Sequence, residues 1–343
     1  MQPVAVRILH PAPGAAAGPL ERSLAAARLA NAERLAAIFG EAGSEDVRIE
    51  TGPPARSFGE RLRQLVNALP PRAGIVVLGS GAIPLATARD AAGFVEVARS
   101  GERRALANSF YSADVIAVGD ASALAGVPDL AGDNALPRWL AYAAGFQVGD
   151  LRRRWRLAVD LDSPLDVLLT GGSAPGIDVE PVADRLARIR AVTADPRGEL
   201  LIAGRTSSAT LRWLERSTAS RTRALVEERG LRTIGRGQRP PRSVLGLVLD
   251  ERGPEALGSV LAELGEAAIV DSRVLLAHVL GPDEAGWPAA EDRFASDLLL
   301  PDGIRDPWLR AITASARDSA IPVLLGGHTL VGPGVRLALR APR

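Results

Sequence analysis

The sequence predicts an α/β protein of two domains, and three observations predict it. Short apolar runs alternate with amphipathic stretches at helical spacing along most of the chain, the pattern of a mainly parallel sheet with helices on both faces. The 343 residues exceed one small core and suit two. The composition is 47% hydrophobic but only 4% aromatic, so cores of Ala, Val, Leu and Ile in layers are expected.

In the first half VAVRIL (4–9) reads as a strand and is followed by the glycine-rich PAPGAAAGP. A long Ala/Leu/Arg helix is expected from about Leu20 to Phe39, then a weak strand at 47–50. A helix over 57–69 has Ser57 in position to cap it. GIVVLGSG (74–81) reads as a buried strand leading through Pro84 into the helix TARDAAGFVEVARS. ADVIAVGD (113–120) reads as another strand, and 133–145 as a helix closed by Gly145. The run RWRLAVDLDSPLDVLLT (154–170) reads as a strand that ends in three acids, Asp160, Asp162 and Asp166. Acids two apart on a strand share a face, which suits a cation held by hard oxygen ligands. The alternative is a helix start capped by Ser163 or Asp162, with Pro164 in the first turn.

TGGSAPGIDVEP (170–181) reads as a linker, giving domains of 1–172 and 180–343. Beyond it a helix is expected at about 181–192, a strand at ELLIAGR, and a long helix from Ser207 or Ser208 to Glu228. Further buried strands are expected at 243–250, 267–279 and 321–327, with helices at 254–264 and 306–318.

Composition also excludes chemistry. No cysteine is present, so disulfides, zinc-thiolate sites and cysteine nucleophiles are ruled out. All 41 basic residues are Arg, which removes Schiff-base lysines and leaves phosphate binding to Arg, backbone amides or metal. A net charge of +1 gives no global attraction for nucleic acid or an anionic membrane. The basic clusters LRRRWR (151–156) and RGQRPPR (236–242) lack interleaved stacking aromatics, and the second reads as a loop. No signal peptide or membrane span is expected, so the reading is a cytoplasmic protein without nucleic-acid or membrane partners, with a homo-oligomer left open.

Four segments in the first half resemble, in order, nucleotidyltransferases of the GT-A type, similar to the molybdenum-cofactor guanylyltransferase and 2-phospholactate guanylyltransferase families. The N-terminal strand and its loop from Gly14 to Arg22 take the place of the triphosphate cradle. FGERLRQLVNAL followed by GIVVLGSGAIPL is similar to the helix and strand before the family's G-x-D-x-P motif. ALANSFYSADVIAV resembles a substrate-side segment carrying T-N-A-L. WLAYAAGFQV followed by RLAVDLDSPLDVL is similar to the closing A-x-x-A-G-x-x-V and D-x-D-T-P-x-D-L pattern.

The resemblance covers about residues 1–172 and implies a GT-A/Rossmann-like domain that moves a nucleoside monophosphate from a nucleoside triphosphate to a phosphorylated or hydroxylated small-molecule acceptor. It implies Mg²⁺ or Mn²⁺ held by Asp160 and Asp162, helped by Asp114 or Asp120, with Arg22 and Asp162 as catalytic groups. Gly14, Gly18, Ser80 and Asn108 would contact nucleotide or substrate. Two departures stand out. Gly81, Ala82 and Ile83 occupy the stretch where the family has its central Asp, and no Lys follows the first loop. The second expectation is therefore an inactive protein that senses a nucleotide or phosphorylated metabolite. The loop glycines read equally as a plain strand-to-helix connection, Asn108 as a turn residue, and Asp133 and Asn134 as a helix cap.

The second half resembles no family. Gly204, Arg205, Thr206 and Ser207, with Ser208, follow a strand and precede a helix, a suitable phosphate cradle. A glycine turn with a serine cap is the alternative. Asp250, Asp271, Glu291 and Asp292 are expected near strand ends, where such sheets bind ligands, though ion pairing with Arg273 and Arg293 also explains them. His278 and His328 are two of the three histidines; either is a candidate catalytic group, with His328 in a loop, GGHTLVGPG, that could close over a ligand, and a structural role is the alternative.

Overall fold

A computed structural model describes residues 2–52, 57–130, 132–231 and 239–340. The chain divides into two compact units, Met1–Ala15 with Ala25–Leu161 and Ala16–Leu24 with Asp162–Arg343. It is an α/β protein with one mixed six-stranded sheet and one parallel four-stranded sheet. Among the described residues no helix is long and apolar enough to cross a membrane.

The first sheet is built from β1 (Val4–Leu9), β2 (Asp46–Glu50), β3 (Gly74–Gly79), β4 (Arg104–Ala107), β5 (Val115–Val118) and β6 (Gln147–Asp150), in the order β2-β1-β3-β5-β4-β6. The helices in this stretch of sequence are α1 (Pro19–Glu41), α2 (Phe58–Asn67), α3 (Ala88–Arg99) and α4 (Leu136–Tyr142). Alternating residues of β3 feed two cores. Val76 and Leu78 pack with Leu35, Phe39 and Phe94. Ile75 and Val77 pack with Leu62, Leu65 and Leu140. Both faces are thereby covered by helices, as expected for a mostly parallel sheet.

The sheet is not uniformly parallel, because β5 runs antiparallel to both β3 and β4. Only the loop 108–114 joins β4 to β5, and a parallel return would need a crossover of about a dozen residues or more. Asn108 closes that loop: its Oδ1 accepts the Asp114 amide at 2.9 Å, and its Nδ2 donates to the Asp114 carboxylate at 2.8 Å.

The expected strand through Asp160 is not one. Trp155–Ala158 form a 3₁₀ turn, followed by a single antiparallel bridge between Ala82 and Asp160. Its backbone is satisfied outside a ladder, by Asn108 Nδ2 on the Leu157 carbonyl at 2.9 Å and by the Leu161 amide on Gly81 at 3.0 Å. Ser57 caps α2 as expected, accepting the Glu60 amide at 3.1 Å.

In the second unit, β7 (Glu199–Gly204), β8 (Arg221–Val226), β9 (Ala267–Asp271) and β10 (Val323–Gly326) form a parallel sheet in the order β10-β9-β7-β8. The helices are α5 (Pro164–Leu169), α6 (Glu180–Ala194), α7 (Ser208–Ser217), α8 (Val244–Arg252), α9 (Leu257–Leu264), α10 (Ser272–Leu280), α11 (Ala290–Asp297), α12 (Pro307–Arg317), α13 (His328–Val331) and α14 (Val335–Ala338).

Three assignments change. The helix expected to reach Glu228 stops at Ser217, and 221–226 is the edge strand β8. Its mostly exposed side chains hide the strand period, and only pairing with β7 defines it. The stretch 243–250 is helix α8, not a strand: Ser243 caps it, and Leu245 and Leu249 are buried one turn apart. Short apolar runs do not separate these cases by periodicity. The stretch 267–279 is strand only to Asp271, whose side chain caps α10 through the Arg273 amide. Residues 236–238 of the basic segment lie outside the described residues, and 239–242 carry no helix or strand.

In α3, Thr87 and Asp90 form a capping box, and Asp90, only 3% exposed, also receives Arg154 Nη1 at 2.8 Å. Burial opposes ionisation of Asp90, but hydrogen bonds from Thr87 and Arg154 and the nearby Arg156 hold it below the usual carboxylate range. A depressed native pKa stabilises above the unfolded value and loses that contribution as pH falls through the native one. Asp90→Asn should therefore cost about 1–3 kcal/mol at pH 7. In urea titrations the deficit should shrink towards pH 3; a deficit independent of pH would contradict the assignment.

Candidate functional site

In the first unit, Leu9, Gly79 and Ser80 bring the carboxyl ends of β1 and β3 together, since Leu9 pairs with Gly79 and its carbonyl accepts the Ser80 amide. Beside them lies a cavity of about 220 Å³. Leu9, Phe58, Val77 and Val115 supply apolar walls, while Asp114 and Asp133 supply carboxylates. Gly79 and Gly132 open its lining, and a Cβ added at either would meet no atom within 4 Å. The volume lies below the roughly 300–1,000 Å³ of pockets that enclose drug-sized molecules. One ring system or a similarly small group fits the space.

Ser80 and Asn108 are both 2% exposed and hold the frame of this edge. The Ser80 hydroxyl bonds His10 Nδ1 at 3.0 Å, and its carbonyl accepts Asn31 Nδ2 at 2.8 Å. Burial, with the charge of Arg28, pushes His10 below its ordinary pKa. Ala82 and Ile83 are each 1% exposed, so the stretch where the resembled family carries an acid is core here. A Cβ at Gly81 would come within 2.8 Å of Asp160 Oδ1 and 3.1 Å of Arg28 Nε. That oxygen already accepts the Leu161 amide at 2.9 Å.

Asp162 belongs to the second unit, where its amide donates to Asp166 Oδ2 at 3.1 Å. Asp166 also receives the Ser163 amide and hydroxyl at 2.8 and 3.0 Å, in a capping box for α5 with Pro164 in the first turn. Among the described residues, no group of three or more His, Asp or Glu gathers as a metal site would require.

Gly14 is exposed, with open space beside it. The start of α1 already holds an anion. Glu291 of α11 places Oε1 on the Leu20 amide and Oε2 on the Glu21 amide, both at 3.0 Å. A Cβ at Gly18 would fall within 2.1 Å of the Glu291 carboxyl carbon, so the glycine makes room for this carboxylate. Arg22 turns back to the Ala17 carbonyl. The amides and helix dipole that would favour phosphate thus hold a side chain of the chain itself.

At the carboxyl ends of the second sheet, Gly204 has φ of +121°, and its missing side chain admits Asp271, whose Cβ would lie 2.2 Å from an added one. Arg205 grips Asp271 through Nε at 2.6 Å and Nη2 at 3.1 Å. Ser207 caps α7 by accepting the Thr210 amide at 3.1 Å. Thr206 is fully buried, and its hydroxyl has no hydrogen-bond partner. Next to this, Arg273 forks onto Asp297 at 2.5 and 2.7 Å.

His278 is structural: Nδ1 accepts the Ser243 amide at 3.1 Å, and Nε2 meets Asp250 at 2.9 Å. Asp292 accepts the amides of Arg305 and Asp306 at 3.0 Å. Asp297 and Thr329 carry no local signal in the sequence. Asp297 is one Asp in a polar helix, and only the fold shows it fully buried against Arg273. Comparison with known protein families, curated proteins and solved structures found no match.

Two outcomes follow from these contacts. Burial, together with Asp162 and Asp297, pushes the Asp166 carboxyl up to about 8 despite its hydrogen bonds. A raised acid binds an extra proton in the folded state between its unfolded pKa and about 8, so its contribution to stability declines as pH rises across that window. Between pH 5 and 8 the parent should lose stability relative to Asp166→Asn, on the order of several kcal/mol in denaturant titrations; parallel profiles would contradict this. Glu291→Ala leaves the first amides of α1 without their acceptor and should cost about 0.5–2 kcal/mol. Faster hydrogen exchange at residues 20–24 would locate the loss; unchanged exchange would remove Glu291 from that role.

Proposed function

We propose that the first unit is a nucleotide-binding module, built like a nucleotidyltransferase but used for binding without turnover. The cavity beside β3 carries this reading. Leu9, Phe58 and Val115 offer apolar surface to a flat ring, and Asp114 and Asp133 offer acceptors to ring N–H or amino groups. A base with an exocyclic amino group meets both demands, since its edge donates while its faces prefer apolar neighbours. The site lies at the carboxyl ends of β1 and β3, where open α/β sheets bind ligands.

Binding is favoured over catalysis because of Ala82 and Ile83. The resemblance places a metal-binding acid in that stretch, and here it is core beside the Ala82–Asp160 bridge. The small-molecule acceptor of a transferase and the activity itself depend on the DLDSPLD segment alone. Asp166, its last acid, is engaged as a helix cap.

The test is calorimetric titration of the full chain with ATP, GTP, CTP and UTP, with and without Mg²⁺, alongside an assay for pyrophosphate. Gly79→Leu fills the cavity from a position with open space and should weaken nucleotide binding at least about tenfold, roughly 1.4 kcal/mol, at an unchanged melting temperature. Nucleotides with an amino edge should bind better than UTP. Equal binding by parent and variant would refute the site. Pyrophosphate release that needs Mg²⁺ and is lost in Asp160→Ala would replace the binding reading with the transferase one.

A further inference from the structure

The order β10-β9-β7-β8 contains a switch in winding direction. From β7 the chain moves outward to β8, whereas from β9 it moves the opposite way to β10. Helical connections on the two sides therefore leave a crevice between the carboxyl ends of β7 and β9, the place where open parallel sheets bind ligands. At these ends stand Gly204, Arg205 and Thr206, at and just after the end of β7, and Asp271 and Ser272, where β9 passes into α10. Helix α13, which follows β10, packs against both strands. Thr210 Oγ1 donates to the Gly332 carbonyl at 3.1 Å and ties the first turn of α7 to the loop after α13.

Two buried hydroxyls, one just after β7 and one on α13, are anomalous. Thr206 is 0% exposed and Thr329 of α13 is 2% exposed, and neither Oγ1 has a hydrogen-bond partner. A buried polar group left unpaired is costly and calls for a physical reason. Donors point the same way. Asp271 takes Nε and Nη2 of Arg205, leaving Nη1 outside that ion pair. The amides of Ser208 and Ala209 open α7 without intrahelical acceptors, at the positive end of a ten-residue helix.

We infer that this crevice is a second ligand site, one that takes the phosphate group of a small phosphorylated metabolite. The phosphate oxygens accept from Thr206 Oγ1, Arg205 Nη1 and the first amides of α7, and Thr329 contributes from α13. Asp271 acts as a positioning residue: it fixes the Arg205 guanidinium in the plane that a planar fork needs to meet an oxyanion. Ser272 holds the β10 side in place through the Gly326 carbonyl at 3.2 Å. This site lies in the second unit and does not depend on the nucleotide cavity.

Inorganic phosphate is the probe, titrated into the full chain by calorimetry and by thermal shift. Thr206→Val keeps the shape and removes the hydroxyl. If the hydroxyl serves a ligand, the variant should melt higher than the parent without phosphate, by about 2–4 °C. It should also lose at least about fivefold in phosphate affinity, and Thr329→Val should move both readouts the same way. Gly79→Leu should keep the full phosphate response, which separates this site from the nucleotide cavity. A Thr206→Val protein that melts higher but binds phosphate as the parent does would overturn the inference, making the hydroxyl a packing defect or a water site. A parent that shows no phosphate binding at 50-fold excess over millimolar levels (about 50 mM) would overturn it as well.

Discussion

The ion pair between Arg205 and Asp271 is the constraint on which the upper edge of the second sheet depends. The side chain of Asp271 is fully buried and that of Arg205 9% exposed, so neither charge has water to fall back on. Their attraction is useful only because the fork geometry is good and the remaining oxygens are engaged; removing one partner from such a pair typically costs about 3–5 kcal/mol. Asp271 does three jobs at once: it grips the Arg205 guanidinium, caps α10 and leans into the space that Gly204 leaves open. A side chain at position 204 would have to displace it. The conformation of one glycine, the cap of one helix and the orientation of one guanidinium are thus a single structural decision.

A second buried pair, Arg273 with Asp297, extends the same logic. Burial opposes the charge on Arg273, while Asp297 and Asp271 hold its pKa above the ordinary value. Asp166 is the acid left over, with no guanidinium forked onto it and with two acidic neighbours. Its pKa is pushed up to about 8, and burial raises that of Asp297 as well. Glu291 shows the opposite solution, in which a carboxylate is satisfied by backbone amides at a helix start instead of by an arginine. In a chain without lysine, anionic groups are settled by planar arginine forks or by helix termini.

Parts of this were legible from residues. VAVRIL read as a strand and GIVVLGSG as a buried one, and both are, while Ser57 announced the start of α2. The bland reading of Ser163 and Pro164 as a helix start also describes α5. What misled was local appearance. Residues 243–250 are apolar enough for a strand, yet their buried and exposed positions follow a helix. Residues 154–161 look like a strand delivering acids, but their backbone bonds go to Asn108 and Gly81, partners distant in sequence.

The sequence by itself determined the class of the fold, the identity of most central strands, the absence of thiol and lysine chemistry, and the places where glycine and serine start helices. Those features follow from local periodicity, composition and turn chemistry, which a short window contains. The tertiary structure alone decided that β5 runs antiparallel, that Glu291 sits on the first amides of α1, that Asp166 is buried beside other acids, and that the hydroxyls of Thr206 and Thr329 are buried without hydrogen-bond partners. Each of these is a meeting of residues tens to hundreds of positions apart, or a burial that such meetings create. No local pattern encodes a partner that far away.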